Sequence, residues 1–426
     1  MGWDGLQPVM RRALFRGVAA FVAVFVIGSG LVAGLRALAG NGPPETSTPP
    51  TGTGSAPTSP GEPQPEDPTT PEAYLAWVPG GMPDGFAEAL ASSPEVGRIT
   101  VANADSIWML HTFDERGKFV DRPPTGYMIP IDATAVEPRG FASFLPEQWQ
   151  DELRQLGELE GILSETSAEL RGIGTDGELE FQAGVSVKIS GILPDVLMGG
   201  YELLVNRSTG RRIGVTHQRY AIFLPPDGQE ATESQLQRAF RSLVPAGSTY
   251  RVVEVRRPGT TRFLRMSDAL LPPLLLKARF GEFAARPASF DPGFLDVEPG
   301  WVTNNIVEAT VPLLGTITCH RKFVLLIRGA MRELVDLGLG DLVQSYAGCY
   351  AARHTLGVPS ASLSHHSWGI AIDINAADNP FGAEPTQDMR LVRVMERWGM
   401  IWGGRFIVPD GHHFEFIAPP KRPDEG

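Results

Sequence analysis

The stretch "SLSHHSWGIAIDIN", residues 362–375, places two histidines before a run in which isoleucine alternates with smaller or polar residues. Alternation with period two predicts a β-strand, with the isoleucines on one face and Ala371, Asp373 and Asn375 on the other. A buried imidazole or carboxylate loses its hydration unless it is paired or bound to a metal. Because Gly369 and Ala371 are small, this polar face leaves room for an ion or a substrate beside Asp373.

A second alternating run, "HHFEFI" at residues 412–417, predicts another strand, with its phenylalanines on one face and His413 and Glu415 on the other. If the two strands pair, His366, Asp373 and His413 converge. Two imidazoles and one carboxylate around an open fourth position are the ligand set of a catalytic zinc, which lowers the pKa of its bound water to about 7.

Further ionisable residues surround these three. Asp410 precedes His413 by three residues, near enough across a turn to accept a proton from that water. Glu415 has two readings, as a group that orients His413 or as a solvated strand residue. Strand alternation sends His365 and His412 to the opposite face, so both are excluded from the predicted site.

The two runs carry a family resemblance. The first contains Ser364, His366, Gly369, Ala371 and Asp373 in the order SxHxxGxAxD, and "DGHHFEF" supplies DxxH followed by FE. Together they resemble the zinc peptidases of the D-alanyl-D-alanine carboxypeptidase and L-alanyl-D-glutamate endopeptidase family, which share the hedgehog/DD-peptidase fold. The resemblance covers about residues 301–420.

The resemblance implies that His366, Asp373 and His413 bind Zn²⁺ and that Asp410 is the general base. It also implies that Arg353, in "CYAARHTLG", binds substrate or steadies the oxyanion, a role that suits a fixed cation beside developing negative charge.

The same resemblance gives Ser364 a supporting or substrate-contacting role. Carboxypeptidase members commonly carry glutamate as the base in ExxH, whereas Asp410 in DxxH is more similar to the endopeptidases. Either bond therefore remains open as the one cleaved.

The chain has two cysteines, Cys319 and Cys349, and both fall in the C-terminal segment. If this segment lies outside the cell, a disulfide is the natural interpretation. Two free buried thiols are the alternative.

The N-terminal part of the chain predicts a membrane anchor. No charged residue occurs from Gly17 to Leu35, and arginines at 11, 12 and 16 precede this run. Its length and the positive-inside bias predict a transmembrane helix over residues 17–39, with residues 1–16 in the cytoplasm. A signal peptide cleaved after "ALA" at 37–39 is the alternative. Residues 40–72, rich in Pro, Thr and Gly, predict a semi-extended linker.

Residues 73–290 alternate strand-like runs with amphipathic stretches and predict an α+β extracytoplasmic region without recognisable catalytic motifs. Thr232 and Gln235 form a capping-box pattern, which predicts a helix start. A break rich in Pro, Gly and Asp at 285–300 predicts the boundary of the last domain.

The chain of 426 residues, 42% of them hydrophobic, can form two or three domains. Its net charge of −12, without a basic stripe, excludes nucleic acid as a predicted partner. The sequence predicts an α+β protein with a membrane anchor, and the resemblance implies a zinc peptidase that acts on peptidoglycan stem peptides in the bacterial cell envelope. The alternative is a non-catalytic hedgehog-like binding module at the cell wall.

Overall fold

The computed structural model describes residues 73–257 and 271–419. The predicted cytoplasmic segment, transmembrane helix and linker, residues 1–72, lie outside the described residues. Within the described ranges, no helix has both the length and the apolar character needed to span a membrane.

The α+β region is built on one large sheet. Its strands are β1 (Tyr74–Trp77), β2 (Arg98–Phe113), β3 (Ile129–Val136), β4 (Glu160–Ser164), β5 (Glu178–Phe181), β6 (Val185–Leu193), β7 (Leu203–Asn206), β8 (Gln218–Leu224) and β9 (Glu254–Arg256). The strand order is β3-β7-β4-β6-β5-β2-β8-β1-β9, and β2 also pairs with β3. That extra pairing closes six of the strands into a ring, from which β8, β1 and β9 extend.

Six short helices connect these strands. They are α1 (Phe86–Ala91), α2 (Pro138–Ala142), α3 (Glu147–Arg154), α4 (Glu165–Arg171), α5 (Arg207–Ile213) and α6 (Glu233–Arg241). The capping box predicted at Thr232 and Gln235 is present at the start of α6. Leu236 and Phe240 of α6 are fully buried, because they face the sheet at helical spacing.

Two consecutive strand–helix units of this region have the same local design. In β4-α4, the Ser164 hydroxyl accepts a hydrogen bond from Ser167 N, and Gly172 ends the helix in the left-handed region. In β7-α5, Asn206 caps the helix and Gly214 ends it in the same way. Each unit thus begins with a polar cap and stops at a glycine that tolerates positive φ.

The C-terminal part contains a smaller sheet flanked by helices. Its elements are α7 (Pro273–Phe280), β10 (Ala285–Pro287), β11 (Leu295–Val297), α8 (Pro299–Asn305), β12 (Ile306–Val311), β13 (Gly315–His320), α9 (Arg321–Asp336), β14 (Tyr346–Gly348), β15 (Ala371–Ile374), α10 (Met389–Arg397), β16 (Met400–Trp402) and β17 (His413–Phe416). The sheet has the order β14-β15-β17-β16, and β12 and β13 form a separate hairpin.

The core of the C-terminal part is continuous from α7 to β17. Phe283 packs against Trp301 and Trp368, with ring centroids 4.9 and 5.1 Å apart. The apolar face of α9 is buried in this core, including Phe323 and Ile327. Burying an aliphatic or aromatic side chain of this size contributes about 1.5–3 kcal/mol. Residues 271–300 therefore share a core with the segment that follows residue 301.

A buried cluster of charges joins the α+β region to α7. Lys277 Nζ lies 2.8 and 2.9 Å from the two carboxylate oxygens of Glu202, and 3.1 Å from Glu282. Arg171 of α4 donates to both oxygens of Glu282, at 2.6 and 2.7 Å, and to Glu202 at 3.1 Å. Since unpaired buried charges are costly, these pairs fix α7 against the α+β region.

Candidate active site

Two antiparallel strands bring the polar residues of the quoted runs together. β15 pairs with β17 so that Asp373 lies opposite His413 and Ala371 lies opposite Glu415. The pairing on which the predicted convergence of His366, Asp373 and His413 depended is therefore present. Because alternate residues share a face, Asp373, His413 and Glu415 meet on one side of the sheet.

His366 enters the site from a short 3₁₀ turn, His365–Trp368, rather than from a strand. The Ser364 hydroxyl caps this turn by accepting from His366 N at 3.4 Å. Gly369 ends it with φ 66°, and a Cβ there would lie 2.7 Å from His320 N. Only glycine therefore fits the point where the chain returns to β15. Ser364 supports a ligand candidate and also lines the cavity.

Three donor atoms form a tight triangle. His366 Nε2 is 3.3 Å from Asp373 Oδ1 and 3.3 Å from His413 Nδ1, and these last two atoms are 3.0 Å apart. Nitrogen and oxygen ligands bound tetrahedrally to zinc at 2.0–2.2 Å are separated by about 3.3 Å. The residues present thus fit a zinc ion, and among the described residues this is the group of acidic, histidine and cysteine side chains that could hold a metal.

Hydrogen bonds leave the correct nitrogen of each imidazole facing the triangle. His366 Nδ1 donates to the carbonyl of Cys349 at 2.6 Å, which directs the Nε2 lone pair inward. His413 Nε2 donates to Glu415 at 3.0 Å, which leaves Nδ1 to face Asp373. Glu415 is 4% exposed, so the reading of it as a solvated strand residue is wrong. Its carboxylate makes with His413 Nε2 the kind of hydrogen bond by which a metal-binding histidine can be oriented.

The electrostatics of the triangle suit a cation. Burial lowers the pKa of His366, an effect that Asp373 partly offsets. Burial also lowers the pKa of His413, but hydrogen bonds to Asp373 and Glu415 outweigh it and bring that pKa to about 10. Burial opposes ionisation of Asp373, yet His366 and His413 hold its pKa well below the ordinary value. The two carboxylates thus favour positive charge at this point.

Asp410 lies in the turn before β17. His413 N donates to Asp410 O at 3.1 Å, and Asp410 N donates to Gly403 O at 2.8 Å, so the turn is fixed at both ends. Burial raises the pKa of the Asp410 carboxyl, and Asp373 raises it further, against the effect of the neighbouring histidines. Its Oδ1 is 3.1 Å from His412 Nδ1, but that nitrogen directs its hydrogen bond to Asn379 O at 2.7 Å. The carboxylate therefore keeps an oxygen able to accept a proton.

Arg353 lies near the carboxylates of Asp373 and Asp410. Burial lowers the pKa of its guanidinium, whereas the charges of Asp373 and Asp410 raise it. Its backbone is held by Ser367, whose hydroxyl accepts from Arg353 N at 2.9 Å and donates to Arg353 O at 2.8 Å. The cation is thus placed on a fixed backbone beside the triangle.

His365 and His412, which strand alternation excluded from the predicted site, both lie beside it in the structure. Strand alternation does not apply to either, because His365 lies in the 3₁₀ turn and His412 precedes β17. His365 Nδ1 is 3.0 Å from Glu415 Oε2, and His412 Nε2 is 4.0 Å from Asp373 Oδ1. Sequence reasoning missed both, and the signal that pointed to them was only their adjacency to His366 and His413.

The predicted disulfide between Cys319 and Cys349 is present, with an S–S distance of 2.10 Å. It ties the end of β13 to the segment that follows β14. Since the Cys349 carbonyl accepts from His366, the bridge reaches the site through one residue.

A cavity of about 290 Å³ opens over the triangle. On one side it is lined by the C-terminal part, including Arg353, His366, Asp410 and His413, and on the other side by residues of the α+β region. Most of the remaining lining side chains are apolar, so the cavity can hold a small organic group against a few polar ones.

A family model described as D-alanyl-D-alanine carboxypeptidase matches residues 358–416. The match supports a peptidase related to peptidoglycan for this C-terminal segment, and it includes the triangle and Asp410. No curated protein matches the chain.

Three solved structures resemble part of the chain at low identity. They include the periplasmic region of MacB from Actinobacillus actinomycetemcomitans, with TM-score 0.30 and 12% identity over 45% of this chain and 91% of that one. The extracellular domain of the noncanonic ABC-type transporter YknZ from Gram-positive bacteria has TM-score 0.28 and 10% identity over 43% and 99%. A domain of a putative permease protein from Porphyromonas gingivalis has TM-score 0.25 and 11% identity over 44% and 89%.

Proposed function

We propose that this chain is a membrane-anchored zinc metallopeptidase that hydrolyses peptide bonds in peptidoglycan stem peptides, with its folded part on the outer side of a bacterial cell membrane. The observation that carries the proposal is the triangle of His366 Nε2, Asp373 Oδ1 and His413 Nδ1, with Asp410 beside it. The match to the carboxypeptidase model over residues 358–416 supports the substrate class.

A zinc ion held by His366, Asp373 and His413 would supply a Lewis acid and would lower the pKa of a water molecule bound to it. Asp410 accepts the proton of the attacking water and returns it to the leaving amine. Its burial suits this exchange, because a raised carboxyl pKa brings proton uptake and release closer to neutral pH.

Arg353 holds negative charge of the substrate. The guanidinium of Arg353, carried on a backbone that Ser367 holds, can bind a terminal carboxylate or the oxygen that becomes negative as water adds to the carbonyl. Binding of a terminal carboxylate by Arg353 would favour the D-Ala-D-Ala bond as the one cleaved, whereas the negative oxygen forms at either bond.

The test is digestion of purified peptidoglycan by the full chain with zinc, compared with Asp410→Asn, with products identified by mass. Release of D-alanine or stem peptides that falls about 10²- to 10⁴-fold in the variant supports the proposal, since this is what a general base contributes. Asp388→Asn is the matched control, because Asp388 caps α10 at the surface. Stoichiometric zinc without cleavage of any muropeptide would instead favour the binding module.

A further inference from the structure

The second wall of the cavity belongs to the α+β region. Pro79, Gly80, Asp105, Ser106, Arg219 and Tyr250 line it opposite Arg353 and His413. The proposed peptidase site is therefore not enclosed by the C-terminal part alone. The wall contains Tyr250 and Arg219, and Arg219 is paired with Asp105.

Between the two walls lies the loop 355–363, which leads directly into Ser364 and His366. Thr355 N donates to Ser362 O at 2.9 Å, and His354 Nδ1 lies 2.7 Å from Ala361 O. These bonds close the loop on itself, and several of its residues line the cavity. Movement of this loop would change both the cavity and the position of the turn that carries His366.

The α+β region binds the loop at two points. At the first, Ser106 N donates to Ser360 O at 3.1 Å, and Arg219 Nη2 lies 3.2 Å from both Ser360 O and Ser360 Oγ. At the second, Ser362 Oγ donates to Asp132 Oδ2 at 2.8 Å. Because Ser106 and Asp132 lie in β2 and β3, the loop is attached to the ring of strands.

Arg219 is itself fixed. Its Nε donates to Ala104 O at 2.8 Å, Nη1 donates to Gly80 O at 3.1 Å, and Nη2 is 3.2 Å from Asp105. Both Arg219 and Asp105 are buried. A guanidinium held in this way presents its remaining donor to the loop in one orientation.

We propose that the α+β region is a positioning element of the peptidase site: Arg219, Ser106 and Asp132 hold the loop 355–363 in place. The region also supplies, through Tyr250, the wall against which the part of the peptide away from the cut packs. The role in substrate binding rests on the proposed function, whereas the attachment of the loop stands on the contacts alone. Arg219 and Asp132 act through the loop and are positioning residues, while Tyr250 would touch substrate.

The experiment compares full-length wild type with Ser362→Ala, which removes the hydroxyl that reaches Asp132. Hydrogen–deuterium exchange is followed at the amides of Thr355 and Ala361, together with kcat and KM on a stem peptide. One hydrogen bond shifts an equilibrium by about 2- to 10-fold, so exchange at these amides should rise by that factor. KM should rise by a similar factor, with kcat changed less.

Ser362→Thr keeps the hydroxyl and should restore both values. Ser92→Ala is the matched control, since Ser92 is exposed and its hydroxyl donates to Glu88 O at the end of the same helix. Unchanged loop exchange in Ser362→Ala would overturn the inference, and so would faster exchange with unchanged KM. If wild type cleaves no peptide while loop exchange responds, the proposed function fails and the attachment of the loop stands.

Tyr250→Ala tests the wall separately. It should raise KM for a stem peptide about 10-fold or more, and by a larger factor than it raises KM for a minimal dipeptide, because the dipeptide does not extend along the wall. Equal effects on both substrates would overturn the assignment of Tyr250.

Discussion

Asp373 and His413 face one another directly across β15 and β17, with Asp373 Oδ1 3.0 Å from His413 Nδ1. The register of the sheet, rather than a flexible loop, sets this distance. Two of the three proposed metal ligands are therefore placed by backbone pairing, and the third, His366, by a capped turn.

We predict that Asp373→Asn weakens zinc binding at least about 100-fold, because it removes the negative charge of the ligand set while keeping its shape. Titration calorimetry of zinc into the full chain measures this. His111→Gln is the control, since His111 pairs with Glu180 in the α+β region. Equal affinity in wild type and Asp373→Asn would contradict the assignment of this site.

Glu415→Gln should reduce zinc affinity about 10- to 100-fold, the usual effect of removing a carboxylate that orients a metal-binding histidine. The glutamine amide lacks the negative charge with which Glu415 accepts hydrogen bonds from His413 and His365. The same calorimetry applies, with Glu396→Gln as control, because Glu396 pairs with Arg405 at the surface. A variant with unchanged affinity would show that His413 needs no such partner.

Replacing both Cys319 and Cys349 by alanine should lower the free energy of unfolding by about 3–4 kcal/mol, as expected for a bridge that closes a loop of this size. The bridged cysteines are separated by 30 residues. We also expect weaker zinc binding, since the Cys349 carbonyl orients His366. Urea unfolding and calorimetry measure the two effects. A loss of stability with full zinc affinity would show that the carbonyl keeps its position without the bridge.

Stability in acid should depend on Glu282. Burial raises the pKa of this carboxyl, but Arg171 and Lys277 outweigh burial and bring the pKa from its ordinary 4.5 to about 2. A depressed pKa in the folded state stabilises the protein above pH 4.5, and the contribution disappears as the pH falls towards 2. At neutral pH we expect Glu282→Gln to cost on the order of 3 kcal/mol.

The measurement is urea unfolding of wild type and Glu282→Gln between pH 7 and pH 2. The difference between the two free energies of unfolding should be largest above pH 4.5 and approach zero near pH 2. Glu88→Gln, at an exposed position of α1, should show no such dependence. A difference that stays constant with pH would mean that Glu282 acts through packing rather than charge.

The period-two patterns of β15 and β17 indicated that Asp373 and His413 would lie on polar faces, and the convergence with His366 was predicted on the condition that the two strands pair. The sequence could not decide the role of Glu415, since an alternating glutamate looks the same whether solvated or buried. It also misplaced His365, because a 3₁₀ turn ended by Gly369 was treated as the start of a strand. The sequence alone does not show that Gly369 has a positive φ, so the end of the turn could not be recognised from it.

The contribution of the α+β region could not be predicted at all. Arg219 and Ser360 are 141 residues apart, and Ser362 and Asp132 are 230 residues apart. Contacts between residues so far apart in the sequence leave no local pattern. Neither residue type nor spacing distinguishes Ser360, Ser362 or Asp132 from serines and aspartates at the surface. The capping box of α6, in contrast, is a contact within one turn and was read correctly.

The long strand β2 limits the positions at which the sequence can tolerate an insertion. It pairs with β8 through Arg98–Asn103, with β3 through Asn103–Met109 and with β5 through Met109–Phe113. One inserted residue near Ser106 would turn every later side chain to the opposite face and shift the amide that holds Ser360. Changes within β2 must therefore be substitutions that keep its length, whereas insertions must fall in the connecting loops.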